Sequence, residues 1–319
     1  MSLILKRPGI LTTVQDLGRV GGQRFGINSN GVMDAAAARM INTVLGNRES
    51  DAVLEMHFPA PVIEFDVDTS VAIGGADFGA EIDGDPARNW SVHVVRKGSV
   101  LSFKNRVSGN RSYLAVAGGV QVDEWLGSRS TNLTAVIGGF MGRRLAAADL
   151  VTCPAGSRRR APVTIGNSII PRYSRFPTVR LVPANEFAML TPAGARAFIR
   201  EGFTLTNDCN RMGYRLSGKP LEVLDSSPMV SAGVNFGTIQ LLPDGQMIIL
   251  MADHQTSGGY PRIGNVIAVD LPILAQCGPG DGVSFELISV GDAERLTIEF
   301  EAQLNMLRVG CRFRNHDVH

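Results

Sequence analysis

A polar segment follows a strongly apolar stretch in the last third of the sequence. The run QMIILM leads into residues 252–262, ADHQTSGGYPR, where most residues can hydrogen-bond or leave backbone amides accessible. Loops that follow core strands often carry function, and Asp253 and His254 are residue types that act as general bases. We predict both as catalytic residues, although neighbours on a strand face opposite sides and need not form a dyad. A polar turn without function is the alternative. The substrate-binding residues predicted on this segment and the strand before it are Gln240, Thr256, Gly258, Gly259 and Tyr260.

A second polar segment, NRMGYR, covers residues 210–215. On a strand, Arg211, Gly213 and Arg215 share one face and Met212 and Tyr214 the other. Two guanidiniums separated by a glycine could then line a polar cleft, and guanidiniums bind carboxylate or phosphate in pairs. We predict Arg211 as a catalytic residue. The substrate-binding residues predicted here are Asn210 and Arg215.

Two further segments near the N-terminus combine polar groups with glycine. In TTVQDLGR, Asp16 and Arg19 could pair with each other or point together at a ligand, and both are predicted to bind substrate. The structural alternative is an aspartate that accepts hydrogen bonds from turn amides. Residues 26–34 form a loop that leads into a helix, whose free N–H groups could hold an anion or the Asp34 carboxylate.

Several common kinds of site are absent from the sequence. GxxxxGK[ST] does not occur, and no glycine cluster both follows a strand and opens a long helix, which argues against an autonomous ATP site. GxSxG does not occur either. The five histidines and four cysteines show no metal-binding spacing, so we predict no metal site.

Composition excludes several classes of protein. Lys and Arg number 31 against 30 Asp and Glu, which leaves no broad basic field for nucleic acid. The sequence contains no run of about 18 apolar residues, which is the length needed to cross a bilayer. The N-terminus, MSLILKRPG, lacks the features of a signal peptide, and we expect a cytoplasmic protein.

The elements that must position these residues are mostly short strands. Runs such as PVIEFDV and GTIQLL are bounded by turn residues, which predicts a mainly β fold of antiparallel barrels or sandwiches. A hairpin is predicted from residue 203 with its turn at NDCN, and another around Pro243-Asp244-Gly245. Helices are predicted at residues 33–45, capped by Ser29 or Asn30, in shorter form at 185–200 and 271–276, and at 292–308, whose first half could equally be a strand.

A stretch with little apolar periodicity, residues 154–177, separates the two halves. It contains Arg158-Arg159-Arg160, which predicts a solvated linker or, alternatively, a contact for an anion or partner. We predict domains at 1–165 and 166–319, the second with a terminal helix.

Six motifs, in order along the chain, resemble the biotin-dependent carboxyltransferase-domain family, also called the KipA-like or allophanate hydrolase subunit 2 family. They run from GILTTVQDLGRVG through NGVMDAAAARMINTVLGN, RSYLAVAGGV and NRMGYRL to GTIQLLPDGQMIILMADHQTSGGYPRI and LAQCGPGD. The resemblance covers residues 3 to about 285. One departure is Met247, where the family often has proline. The resemblance implies two cyclophilin-like β-barrel subdomains with a few short helices.

The resemblance also implies a function shared with partners. Within the family the chain is similar to the C subunits of ATP-dependent 5-oxoprolinases, which implies a KipI-like B subunit, a LamB/YcsF-like A subunit and the opening of 5-oxoproline to glutamate. A chain of this kind is expected to be inactive alone, with ATP bound in a site shared with a partner. One alternative is carboxyl transfer to urea. This would require biotin on another polypeptide, since the chain has no biotin attachment segment. The other is a KipA-like regulatory protein that antagonises a kinase inhibitor.

Overall fold

The protein is mainly β, as predicted. A computed structural model describes residues 2–154, 163–225 and 229–316. The triplet at 158–160 lies outside the described residues. The strands are β1 Ser2–Arg7, β2 Thr12–Gln15, β3 Val53–Met56, β4 Val62–Phe65, β5 Thr69–Asp77, β6 Ala80–Ile82, β7 Asp85–Pro86, β8 Ser91–Val95, β9 Val100–Phe103, β10 Ser108–Val116, β11 Leu150–Thr152, β12 Thr178–Pro183, β13 Phe203–Cys209, β14 Gly213–Ser217, β15 Ala232–Gly233, β16 Thr238–Leu241, β17 Met247–Leu250, β18 Ser257–Gly258, β19 Arg262–Val266 and β20 Gly282–Leu287.

Helices are few. The α-helices are α1 Ala35–Leu45, α2 Pro192–Arg200, α3 Leu271–Ala275 and α4 Val290–His316, and short 3-10 helices lie at Gln23–Phe25 and Asn185–Met189. Within the described part of the chain, none of these helices has the length and apolar character needed to cross a membrane.

The chain divides into two compact units. Unit 1 comprises Met1–Arg19, Asn30–Pro171 and Glu301–His319, and unit 2 comprises Val20–Ser29 and Arg172–Phe300. The units differ from the two contiguous halves proposed from the sequence. One short N-terminal segment groups with unit 2 and the end of the terminal helix groups with unit 1. Long-range packing of this kind leaves no mark in local composition.

Unit 1 is built from two antiparallel sheets. One has six strands in the order β11-β1-β4-β9-β6-β7 and the other five in the order β2-β3-β10-β5-β8. Apolar side chains of both sheets, among them Leu5, Phe65, Leu54 and Leu114, belong to one buried cluster. Burial of this apolar surface is the main force that holds the sheets together.

Helix α1 lies against β5 and β10 of unit 1. A Cβ atom at Gly74 would lie 2.5 Å from Cγ2 of Ile41, so glycine lets the helix approach the sheet. The N-cap is Asp34, whose carboxylate accepts a hydrogen bond from the Ala37 N–H at 2.8 Å. The prediction of Ser29 or Asn30 as the cap was wrong, because Asn30 has a positive φ of 53° and its side-chain oxygen accepts from Arg19 instead.

Unit 2 contains a closed barrel of seven strands in the order β12-β19-β16-β17-β14-β13-β20. The hairpin of β16 and β17 is confirmed: Gly245 at its turn has a φ of +78° and donates to the Leu242 carbonyl at 2.9 Å. The hairpin of β13 and β14 is also present, but β13 continues to Cys209. The turn therefore lies at residues 210–212, later than predicted, and Arg211 precedes the strand instead of belonging to it.

Two predicted helical regions differ in detail. Residues 185–200 form a 3-10 helix and then α2, because Thr191 caps a new helix by accepting from the Gly194 N–H at 3.0 Å. The terminal helix α4 is one continuous helix of 27 residues, so the strand alternative for its first half was wrong. Ser289 and Asp292 exchange hydrogen bonds at its start, which satisfies an N-terminal amide.

Candidate functional site

The polar loop of residues 251–261, between β17 and β19, is attached to the turn between β13 and β14. The Met251 N–H donates to the Met212 carbonyl at 3.0 Å, and the Asp253 N–H donates to the Arg211 carbonyl at 2.7 Å. The two polar segments that the sequence singled out, about forty residues apart, are therefore one site in unit 2. The barrel strands hold both.

A buried ion pair joins the two segments. Nε and Nη2 of Arg211 each donate to one oxygen of Asp253 at 2.9 Å, and both side chains are 7% exposed. A bidentate pair fixes the plane of both groups as well as their separation. Asp253 is thus positioned by Arg211 and is not a dyad partner of His254 in this arrangement.

His254 is fully buried in the same loop. Its Nδ1 lies 2.5 Å from the Gln255 carbonyl oxygen. A carbonyl only accepts, so Nδ1 carries the proton and Nε2 presents a lone pair. In the described residues Nε2 has no hydrogen-bond partner. Desolvation by burial lowers the pKa of His254, which outweighs the opposite effects of the Gln255 carbonyl and of Asp253. The ring is therefore held neutral with a defined tautomer.

Gln240 of β16 lies under the far end of the loop. Its amide nitrogen donates to the Tyr260 carbonyl at 3.4 Å, and its amide oxygen accepts from Gln255 at 3.4 Å. A Cβ atom at Gly258 would lie too close to the amide nitrogen of Gln240, so a side chain there would displace the Gln240 amide. From the N-terminal part of unit 2, Asn28 donates to the Asp253 carbonyl at 3.1 Å.

The remaining residues predicted in this region lie at its margins. Asn210 is exposed, and its side-chain oxygen accepts from the N–H groups of Met212 and Gly213. Arg215 is half-buried on β14, on the face of Gly213. Arg211 lies in the turn before this strand, so the predicted shared face of Arg211, Gly213 and Arg215 is not formed. Thr256 is half-buried, and Gly259 and Tyr260 are exposed.

Arg262 anchors the end of the loop. It forms a bidentate pair with Glu186 at 2.8 and 2.9 Å and donates to the Gly233 carbonyl. The Arg262 guanidinium lowers the pKa of the Glu186 carboxyl, whereas desolvation has the opposite effect. The loop is consequently pinned at both ends, with its exposed part at residues 255–260 between them.

The Asp16 carboxylate is the centre of a separate cluster in unit 1. It accepts from the hydroxyls of Ser128 and Ser130 at 2.6 Å and from the N–H groups of Gly18 and Arg129 at 2.8 and 2.5 Å. Three of these donors reach Oδ1, and the Arg129 N–H reaches Oδ2. Asp16 therefore joins the end of β2 to the loop of residues 128–130.

Arg19 belongs to the same cluster but has different partners. It donates to the Asn30 side chain at 2.6 Å and to the Ser130 carbonyl, and its guanidinium lies 4.9 Å from the centre of the Trp125 ring. Asn132 also donates to the Asn30 side chain, at 3.3 Å. Asp16 and Arg19 meet through Ser130, a contact that neither residue's own segment indicates.

The pattern of the family described as carboxyltransferase domain, subdomain A and B, matches residues 25–287. The chain belongs to this family.

Relatives of this carboxyltransferase-domain chain have two kinds of name. It is 37% identical to the C subunit of 5-oxoprolinase from Haemophilus influenzae over 93% of this chain and 94% of that protein. It is 36% identical to the C subunit of 5-oxoprolinase from Escherichia coli over 90% of this chain and 91% of that protein. The crystal structure of the K. lactis urea amidolyase superposes with a TM-score of 0.90 at 25% identity, covering 96% of this chain. The chain spans only 20% of that urea amidolyase chain.

Several residues of the polar loop and of the Asp16 cluster were missed by sequence reasoning. Asn28 and Glu186 contact the loop from segments far away in the chain, and the same is true of Ser128 and Ser130 around Asp16. Serine, asparagine and glutamate are common on surfaces, so their types alone gave no signal. Among the described residues, no group of three or more His, Cys, Asp or Glu is placed to hold a metal ion.

The Asp16 cluster gives a first prediction. We expect Asp16→Asn to lower the free energy of unfolding by about 1–3 kcal/mol, because an amide cannot accept from all the donors that surround the carboxylate. Urea denaturation of the purified chain measures the change. Asp208→Asn, at an exposed carboxylate of β13, is the control and should leave the midpoint nearly unchanged. A denaturation midpoint for Asp16→Asn equal to that of the wild type would contradict a structural role for Asp16.

Proposed function

We propose that this chain is the C subunit of an ATP-dependent 5-oxoprolinase. In this proposal it acts with a KipI-like B subunit and a LamB/YcsF-like A subunit to open 5-oxoproline to glutamate, in the cytoplasm. The observation that carries the proposal is the match to two proteins named as the C subunit of 5-oxoprolinase, over more than nine-tenths of their length. A match of this extent supports a protein of the same type.

The chemistry proposed for the site starts from His254. ATP would supply a phosphoryl group for the lactam oxygen, and this would make the ring carbon a better electrophile. Water adds to that carbon while Nε2 of His254 takes its proton, and His254 then returns the proton to the ring nitrogen as the carbon–nitrogen bond breaks and the amine leaves. A second water then releases phosphate and completes the glutamate carboxylate. A neutral imidazole with a free lone pair suits the role of the proton acceptor.

In this proposal the other loop residues bind and orient. The pair of Arg211 with Asp253 holds the backbone that directly precedes His254, and Gln240, Thr256, Gly258, Gly259 and Tyr260 surround the ring substrate. Nε2 is buried, so entry of the substrate requires the exposed part of the loop, residues 255–260, to move. The sequence lacks an autonomous phosphate-binding motif, so we place ATP in a site completed by a partner protein.

Reconstitution tests the proposal. The chain is co-expressed with KipI-like and LamB/YcsF-like partners from the same genome, and ATP hydrolysis and glutamate are measured with and without 5-oxoproline. We expect both products only with 5-oxoproline and all three proteins. A folded, associated complex that forms neither product would refute the proposal.

A second candidate is the carboxyltransferase component of a biotin-dependent urea carboxylase. The superposition on the K. lactis urea amidolyase, with its TM-score of 0.90, favours this reading. It predicts activity that depends on a biotinylated carrier and on bicarbonate and is blocked by avidin. Turnover of 5-oxoproline that avidin does not inhibit would support the 5-oxoprolinase proposal over the urea carboxylase. A KipA-like regulatory protein would show neither activity, and Asp253→Asn would then change the affinity for its partner without any catalytic effect.

A further inference from the structure

Helix α4 carries an exposed apolar stripe. Ile298, Ala302, Met306, Val309 and Phe313 are all exposed, with Met306 at 64% and Phe313 at 68%. At 3.6 residues per turn, these five positions fall within about 80° of the helix circumference and extend about 22 Å along its axis. They form one continuous surface, which we call the α4 stripe.

The α4 stripe is not the face on which the helix packs. The opposite side of the same helix carries Leu296, Phe300, Leu304, Leu307 and Cys311, which are buried or half-buried. Helix α4 is therefore apolar on two opposite sides, whereas a surface helix normally has one apolar face and one polar face. Contiguous exposed apolar surface of this kind marks an interaction site.

Charges along one edge of the stripe change sign part-way along the helix. Glu294 and Glu301 lie beside its first half, and Arg308 and Arg312 lie beside its second half. Glu301 and Arg308 already pair with Arg39 and Glu49 of unit 1. In the part of the chain that the structure describes, Glu294 and Arg312 form no ion pair. The two lie 18 residues apart, about 27 Å along the axis, so they cannot pair within one helix.

We propose that the α4 stripe is the interface between two copies of this chain, packed with their α4 helices antiparallel about a two-fold axis. In an antiparallel pair the same edge of both helices lies on one side of the interface. The first half of that edge in one copy then faces the second half in the other copy. Glu294 of each copy then lies near Arg312 of the other, whereas in a parallel pair the two charged edges lie on opposite sides of the interface and do not meet. The axis passes near Ala302 and Met306, where the small alanine side chain permits close approach. A two-fold interface is self-complementary in this way.

Sedimentation velocity of the full-length chain over a range of concentrations tests the dimer. We expect a reversible monomer–dimer equilibrium, with Met306→Glu monomeric at concentrations where the wild type is dimeric. The matched control is Val107→Glu, an apolar residue of similar exposure, 62%, in unit 1 and outside the helix. It should dimerise like the wild type. Circular dichroism confirms that both variants are folded.

Charge exchange tests the antiparallel arrangement. Glu294→Arg alone and Arg312→Glu alone should each weaken the dimer, and the double variant should regain most of the lost affinity. Such recovery requires the two positions to meet across the interface. A double variant weaker than either single variant would overturn the antiparallel geometry. A wild-type chain that stays monomeric at all concentrations, with Met306→Glu failing to bind a KipI-like protein, would assign the stripe to that partner and overturn the proposal.

Discussion

Replacing Asp253 by asparagine is expected to lower the free energy of unfolding by about 3–5 kcal/mol, because it removes the charge of the carboxylate that receives two hydrogen bonds from the buried guanidinium of Arg211. Both side chains are 7% exposed, and the pair also fixes the junction of two chain segments. Thermal and urea denaturation of the purified chain measure the loss. This is the largest stability effect that we expect from a single polar substitution in unit 2.

Two further variants test whether the loss of stability comes from the buried charge or from substitution of a carboxylate as such. Glu64→Gln removes the carboxylate of the more exposed Lys6–Glu64 pair and should cost no more than about 1 kcal/mol. Replacing both members of the buried pair, as Arg211→Met with Asp253→Leu, should recover a large part of the loss, since neither charge is then left alone. If Asp253→Asn and Glu64→Gln proved equally mild, the buried pair would not hold the loop.

The second large effect concerns His254. Within the reconstituted complex, His254→Asn is expected to lower the turnover number about 100- to 10,000-fold, the usual contribution of a general base. Asparagine places an N–H near the position of Nδ1, so the hydrogen bond to the Gln255 carbonyl can be kept while the Nε2 lone pair is lost. His254→Gln, which places its amide nearer the Nε2 position, should also be inactive. Full turnover by His254→Asn would remove His254 from the mechanism.

The pH profile provides an independent check of the same residue. Burial lowers the pKa of His254, so the base is already unprotonated at neutral pH. Activity should persist below the usual titration range of histidine and fall only as the pH drops through this lowered pKa. His254→Asn should lose this acid limb while retaining any limb that arises from the substrate or the partners. If the acid limb of the pH profile is unchanged in His254→Asn, it arises from the titration of another group.

The sequence alone determined much of the local structure. Turn residues such as Pro243, Asp244 and Gly245 specify a hairpin through their own backbone preferences, whichever strands surround them. The same holds for the mainly β class and for Gly46, which ends α1 in the left-handed conformation. The two polar segments around residues 211 and 253 were also recognisable, because polar residues directly after apolar strands are a local pattern.

Only the tertiary structure decided which of these groups meet. Arg211 reaches Asp253 across 42 residues, and Ser128 and Ser130 reach Asp16 across more than 110. The tertiary packing within each unit fixes these contacts, and residue spacing does not encode it. Whether an apolar residue is core or surface is decided in the same way. The sequence shows apolar residues on both sides of α4, but only packing reveals that one side is covered by the protein while the α4 stripe remains open.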